Sequence, residues 1–216
     1  MRLLTSLLML AGLTAGELTA ADKKPLRALL ITGGCCHDYT TQKDLLKSGL
    51  EARLNIVVDH AHSPDKSTNP PLPIFGNADY AKGYDVVIHD ECAAGQTDPK
   101  VIAGVLAPHR NGIPAVNLHC AMHSYRFGNF RKPVNPGAAN AKWFEYIGLQ
   151  STGHGPKKPI EITYEHNVPY ITKGLKNWTT GNEELYNNVQ VLPGTKVVAR
   201  GTQGKNKAVV AWTKVY

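Results

Sequence analysis

The chain has 216 residues, a formal charge of +7 and 42% apolar residues, with ordinary amounts of glycine and proline. That length gives one domain with room for a small appendage, and that composition excludes a disordered or collagen-like chain. The basic residues are scattered, Lys23-Lys24 and Lys157-Lys158 being the densest pairs, so the charge reads as solvated surface and argues against a nucleic-acid partner.

The first stretch, MRLLTSLLMLAGLTAGELTAADKK, stands apart from the rest. Arg2 supplies a short positive region, Leu3 to Leu13 an apolar run, and Thr19-Ala20-Ala21 a small-residue cleavage site. This is the pattern of a secretory signal peptide over residues 1–21, which leaves residues 22–216 as the mature domain in the periplasm or outside the cell. An apolar run this short does not span a bilayer, and no other segment is apolar enough to do so, so no membrane partner is expected beyond the leader.

PLRALLITGG (25–34) is an apolar run closed by two glycines, the mark of a buried strand. TTQKDLLKSGLEARL (40–54) places Leu45, Leu46, Leu50 and Leu54 at helical spacing, with Thr40 or Thr41 as the cap. NIVVDH (55–60) is a second strand and the proline-rich 63–80 a loop. YDVVIHDEC (84–92) is a third strand. DPKVIAGVLAPHRNG (98–112) opens on Asp and Pro and closes on Gly, which frames a helix. IPAVNLHC (113–120) is a fourth strand, and 140–148 is helical. After about residue 155 the pattern changes to alternating strands at 159–165, 195–201 and 208–216, with 174–188 as a loop or short helix between them. Strand-helix alternation followed by alternating strands predicts a flavodoxin-like, doubly wound, mostly parallel α/β sheet with a β-rich C-terminal extension.

In an open α/β sheet ligands bind outside the carboxyl ends of the strands. The first strand ends in Cys35, Cys36, His37 and Asp38, the third in His89, Asp90, Glu91 and Cys92, and the fourth in His119, Cys120 and His123. With strands one, three and four as neighbours, these groups converge on one edge. His37, His119 and His123 are candidate ligands for zinc or another divalent ion, with Asp38 or Glu91 beside them. The same imidazoles also suit metal-free acid/base chemistry near neutral pH. Arg126 could hold a carboxylate or sugar hydroxyls, and Glu183 and Glu184 could reach the same edge. Cys120 near His123 suggests a thiol nucleophile, but no glycine-rich elbow surrounds it, and disulfides among Cys35 or Cys36, Cys92 and Cys120 are an equal alternative.

LLITGGCCHDY, YDVVIHDEC, NLHCAMHSYR, GNEELYNN and VVAWTKVY together resemble the ThuA-like (trehalose utilisation) family, which has the class I glutamine amidotransferase-like fold. The resemblance implies that His119 stands where amidotransferases carry a nucleophilic cysteine, so that glutaminase activity is lost. It implies an exported protein of carbohydrate utilisation acting on trehalose-type sugars or keto-glycosides. On that reading His119, His37 and Glu184 are catalytic and His123, Arg126, Asp38 and His89 bind a small-molecule sugar. A non-catalytic carbohydrate-binding or accessory protein on the same fold is the alternative. The family pattern continues beyond the W-T strand, so its C-terminal end is expected to be missing at Tyr216.

Overall fold

The computed structural model describes residues 24–216; the expected signal peptide lies outside the described residues. At the centre is a four-stranded parallel sheet of order β2-β1-β3-β4, with β1 Leu26–Gly34, β2 Ile56–His62, β3 Val86–Cys92 and β4 Ala115–Asn117. Strands one, three and four are therefore neighbours, as the flavodoxin-like pattern requires. β1 is buried from Ala28 to Gly34 with no alternation, because helices cover both faces of the sheet.

On one face, Ala28, Leu30, Val58 and Ile88 pack against Leu46 and Leu50 of α1 (Tyr39–Glu51). On the other, Leu29, Ile31 and Val87 meet Ile102, Val105 and Leu106 of α2 (Pro99–Arg110) and Trp143 and Phe144 of α3 (Lys142–Ile147). Each such aliphatic or aromatic side chain contributes about 1.5–3 kcal/mol when fully buried. α2 begins as its sequence implied, with the Asp98 carboxylate accepting from the Lys100 amide at 2.8 Å and Pro99 in the first turn. α1 differs: its cap is Asp38, not Thr40 or Thr41, and the Asp38 carboxylate accepts from both the amide and the hydroxyl of Thr41.

The C-terminal third is β-rich. β5 is Leu149–Gln150, β6 His154–Lys158 and β7 Glu161–Tyr164; α4, Pro169–Thr172, is one turn; β8 Trp178–Thr179, β9 Glu183–Tyr186, β10 Gln190–Val191, β11 Lys196–Gln203 and β12 Asn206–Thr213 follow. Four of these make an antiparallel sheet of order β12-β11-β7-β8, while β6-β9 and β10-β5 are separate antiparallel pairs. The segment 174–188, expected as a loop or short helix, thus contains β8 and β9. Its charged Glu183-Glu184 pair hides a strand whose hydrogen-bonding partner, β6, lies far back in the chain. Among the described residues no helix is long and apolar enough to cross a membrane.

Candidate active site

The site forms where β1 and β4 end and β9 passes over them. Two glycines close β1 because the chain there lies against its neighbours: a Cβ on Gly34, whose φ is +99°, would meet the carbonyl oxygen of Cys92 at 2.2 Å. The chain then turns through Cys35 and Cys36, the latter at φ +85°, and delivers His37. At the end of β4 the turn is sharper. His119 has φ +42°, a left-handed conformation that costs a non-glycine residue about 1–3 kcal/mol, and one turn of 3-10 helix (His119–His123) follows directly. This strand-to-helix elbow pushes the His119 ring out over the sheet edge. The His37 and His119 rings meet edge to face with centroids 4.8 Å apart.

β9 supplies the carboxylates. Glu184, its side chain only 8% exposed, lies 4.0 Å from His119 Nε2, 3.6 Å from His154 Nε2 and 3.3 Å from Lys157 Nζ. Glu183 lies 3.6 Å from His119 Nε2. One ligand atom each from His37, His119 and Glu184 falls within 4.8 Å of the other two. The Nε2 atoms of His37 and His119 are buried without a hydrogen-bond partner. Two imidazole nitrogens and a carboxylate oxygen are a donor set that zinc accepts, so these residues fit a divalent ion. Beside them a mainly apolar cleft of about 150 Å³ is lined by His119, Glu184, Tyr186, Met122, Val210 and Trp212 among others.

The two imidazoles differ electrostatically. A hydrogen bond with Cys120 and the charges of Cys120, Glu184 and Asp90 raise the His37 pKa against the opposing effect of burial. Burial, then the neighbouring His37, lowers that of His119. One ring is thereby favoured as a cation and the other as a neutral base. Asp90, 1% exposed, accepts from the Gln42 side-chain amide at 3.1 Å on one oxygen and has the other unpartnered. Burial and the adjacent Glu91 push its carboxyl up to about 7.

Behind the imidazoles lie four sulfurs. Cys35 and Cys36 are joined in a vicinal disulfide, and Cys92 and Cys120 are free buried thiols. The disulfide therefore falls within the Cys35-Cys36 pair rather than bridging to Cys92 or Cys120. Cys120 is 4% exposed, its sulfur 2.9 Å from that of Cys92. The hydrogen bond from Cys92, joined by those from His123, His37 and Tyr186, favours the Cys120 thiolate against the cost of burial.

The residues singled out from the sequence do not all arrive. His37, His119 and Glu184 come together. His123 is 6% exposed and lies behind them: Nε2 pairs with Ser151 Oγ at 2.9 Å, its ring stacks on Tyr186 at 4.5 Å, and it bonds to Cys120. It therefore does not join the ligand set, and Glu184 takes the third place expected for it. Arg126 is half-buried, its guanidinium 4.6 Å over Phe130 and donating to the Ser151 carbonyl at 3.4 Å. Asp38 is occupied in capping α1.

His89 is elsewhere, which corrects the expected convergence. Successive residues of a strand point to opposite faces, so His89 and Glu91 point away from the side that Asp90 and Cys92 share. His89 is fully buried, with Nδ1 2.9 Å from Glu91 Oε1 and Nε2 3.0 Å from His109 Nε2. Glu91 in turn accepts from the Tyr125 hydroxyl at 2.7 Å, within the core rather than beside a ligand. His154, Lys157 and Tyr186 are members of the site that the sequence did not mark. Their signal is the pairing of β6 with β9, a contact distant in the chain.

No protein-family pattern matches the chain, and no curated protein sequence matches it. Among solved structures, a candidate GMP synthase component from Thermoplasma acidophilum superposes with a TM-score of 0.50 at 9% identity, over 85% of this chain and 80% of that one. At that identity the likeness carries the fold alone: the chain has the class I glutamine amidotransferase-like fold.

Proposed function

We propose that this chain is an exported ThuA-like protein of carbohydrate utilisation that performs acid/base or metal-assisted chemistry on a trehalose-type sugar or keto-glycoside. One observation carries the reading. A histidine, His119, occupies the strained elbow at the end of β4, with a second imidazole and a shielded carboxylate beside it. The neighbouring thiol, Cys120, points back into the core against Cys92, which speaks against glutaminase or other thiol chemistry.

The cleft supports a small substrate. At about 150 Å³ it is well below the roughly 300–1,000 Å³ of an ordinary ligand pocket, so it takes one sugar ring while the remainder stays outside. His119, its pKa lowered, suits taking a proton from a carbon next to a carbonyl, and His37, its pKa raised, suits donating one to the oxygen that gains charge. Glu184 lies 4.0 Å from His119 Nε2, and its own charge is balanced by Lys157 and His154. A divalent ion held by His37, His119 and Glu184 would supply Lewis-acid polarisation of the same carbonyl. The products are those of isomerisation or elimination.

The test is turnover on keto-glycosides by protein purified without chelator, with metal content measured alongside. His119→Ala is expected to lower turnover by about 10²–10⁴-fold while sugar affinity is largely kept. Turnover in the variant equal to that of the parent would refute the assignment. Sugar binding without turnover in the parent would leave the binding-protein alternative.

A further inference from the structure

We propose that Cys35, Cys36 and Cys92 form a thiolate site for a thiophilic cation such as Cu(I), which opens when the vicinal disulfide is reduced. This site is separate from the imidazole-carboxylate cluster. The three sulfurs all lie within 4.8 Å of one another, with Cys92 Sγ 3.5 Å from Cys35 Sγ. Three thiolates around one ion at about 2.3 Å stand roughly 3.8–4.0 Å apart, so small side-chain rotations suffice to admit it. Thiolate ligands select soft cations such as Cu(I) over oxygen-seeking ones.

The fold holds these sulfurs in place before any ion arrives. Cys92 is paired in register with Gly34 across β1 and β3, which anchors it beside the Cys35-Cys36 turn. Tyr39, Cys92, Cys120, Cys35 and Ala94 form a small apolar cluster that excludes water from one side. Within it the buried Tyr39 hydroxyl bonds to the sulfur of Cys120, which is not one of the three proposed ligands. Cys36 is exposed and gives reductant and ion a route to the inner sulfurs.

Disulfide and metal are mutually exclusive occupants. A phosphine reductant breaks the Cys35-Cys36 bond with two electrons, each sulfur takes a proton, and the phosphine leaves as its oxide with oxygen from water. Binding then forms three metal-sulfur bonds and releases three protons, those of Cys35, Cys36 and Cys92, to solvent. Because His37 directly follows Cys36, occupancy sets the turn that presents this ring to His119.

The experiment uses the full chain, reduced with a phosphine under argon, freed of reductant and titrated with Cu(I) against a coloured chelator. One Cu(I) per chain with ultraviolet thiolate-to-copper charge-transfer absorption is expected. Air-oxidised protein and the Cys36→Ser variant are expected to bind at least about tenfold more weakly, and His119→Ala to bind like the parent. Cys36 is exposed, so its serine variant is chosen to keep the fold, checked by circular dichroism. Equal binding by reduced and oxidised protein, absence of the charge-transfer band, or loss on His119→Ala in place of Cys36→Ser would each overturn the proposal.

Discussion

The buried His109 makes the fold acid-labile in a way that can be calculated. Its Nδ1–H donates to the Ile113 carbonyl at 2.9 Å, since a carbonyl can only accept. Neutral His109 therefore offers Nε2 as an acceptor, which faces the Tyr80 hydroxyl at 3.1 Å and His89 Nε2 at 3.0 Å. A proton added to His109 would land on that buried acceptor and make the ring a cation beside His89. Burial, then the nearby His89, accordingly pushes the His109 pKa from the ordinary 6.5 down to about 4. Between those values the unfolded chain binds the proton and the folded chain does not, so stability falls as pH falls through this window and is undiminished above it. The loss is about 2 kcal/mol between about pH 7.5 and about pH 5, and about 3 kcal/mol by about pH 4. Burial also lowers His62, His119 and His123, which lose stability in the same direction. The measurement is thus a difference: urea unfolding of the parent and of His109→Gln across this range. The glutamine oxygen can accept from the Tyr80 hydroxyl and does not titrate. The parent is expected to lose about 2 kcal/mol more than the variant by about pH 5. Parallel pH profiles for the two would refute the proton assignment.

Two other substitutions test how the site is built. Gly34→Ala would drive a methyl into the Cys92 carbonyl at a φ of +99°, and is expected to cost at least about 1–3 kcal/mol, read as a lowered Tm. Asp38→Ala is expected to lower Tm slightly through the lost cap of α1, while Asp38→Asn, an equally good cap, leaves it in place. Both Asp38 variants should turn over sugar like the parent; a fall in turnover at unchanged Tm would return Asp38 to the substrate.

The central sheet is legible in the sequence because its strands are covered on both faces. An apolar run ended by Gly33-Gly34 reads as a buried strand whatever its partners, and Asp98-Pro99 marks a helix start by local chemistry alone. Position along a strand, which places groups at the carboxyl edge, is legible too. Position alone does not give the face, and that is why the expectation for His89 fails. It precedes Asp90 by one residue, and period-two alternation already sends the two to opposite sides. The cap of α1 fails for a different reason: HDYTT offers Asp and Thr in nearby cap positions, and the charged acceptor nearer the start wins. The β6-β9 pair is out of reach. A local reading cannot know that Lys157 faces Glu184, and two adjacent glutamates look like solvated loop until a distant strand pairs with them.

The elbow at His119 shows why the site's identity rests on one residue while its geometry rests on many. A left-handed non-glycine residue persists only when its surroundings over-determine it. Here the Leu118 amide donates to the His89 carbonyl at 2.8 Å, which fixes the approach, and the Ala121 amide donates to the Leu118 carbonyl at 2.9 Å, which closes the turn. The Trp143 indole then donates to the Ala121 carbonyl from the core at 3.1 Å. All three bonds involve backbone carbonyls and none uses the His119 side chain. The turn can therefore present any side chain that tolerates the strain, and its chemistry follows from whichever one is there. With an imidazole at the elbow and the nearest thiol turned inward, the turn presents a base under the proposed function rather than a thiol nucleophile.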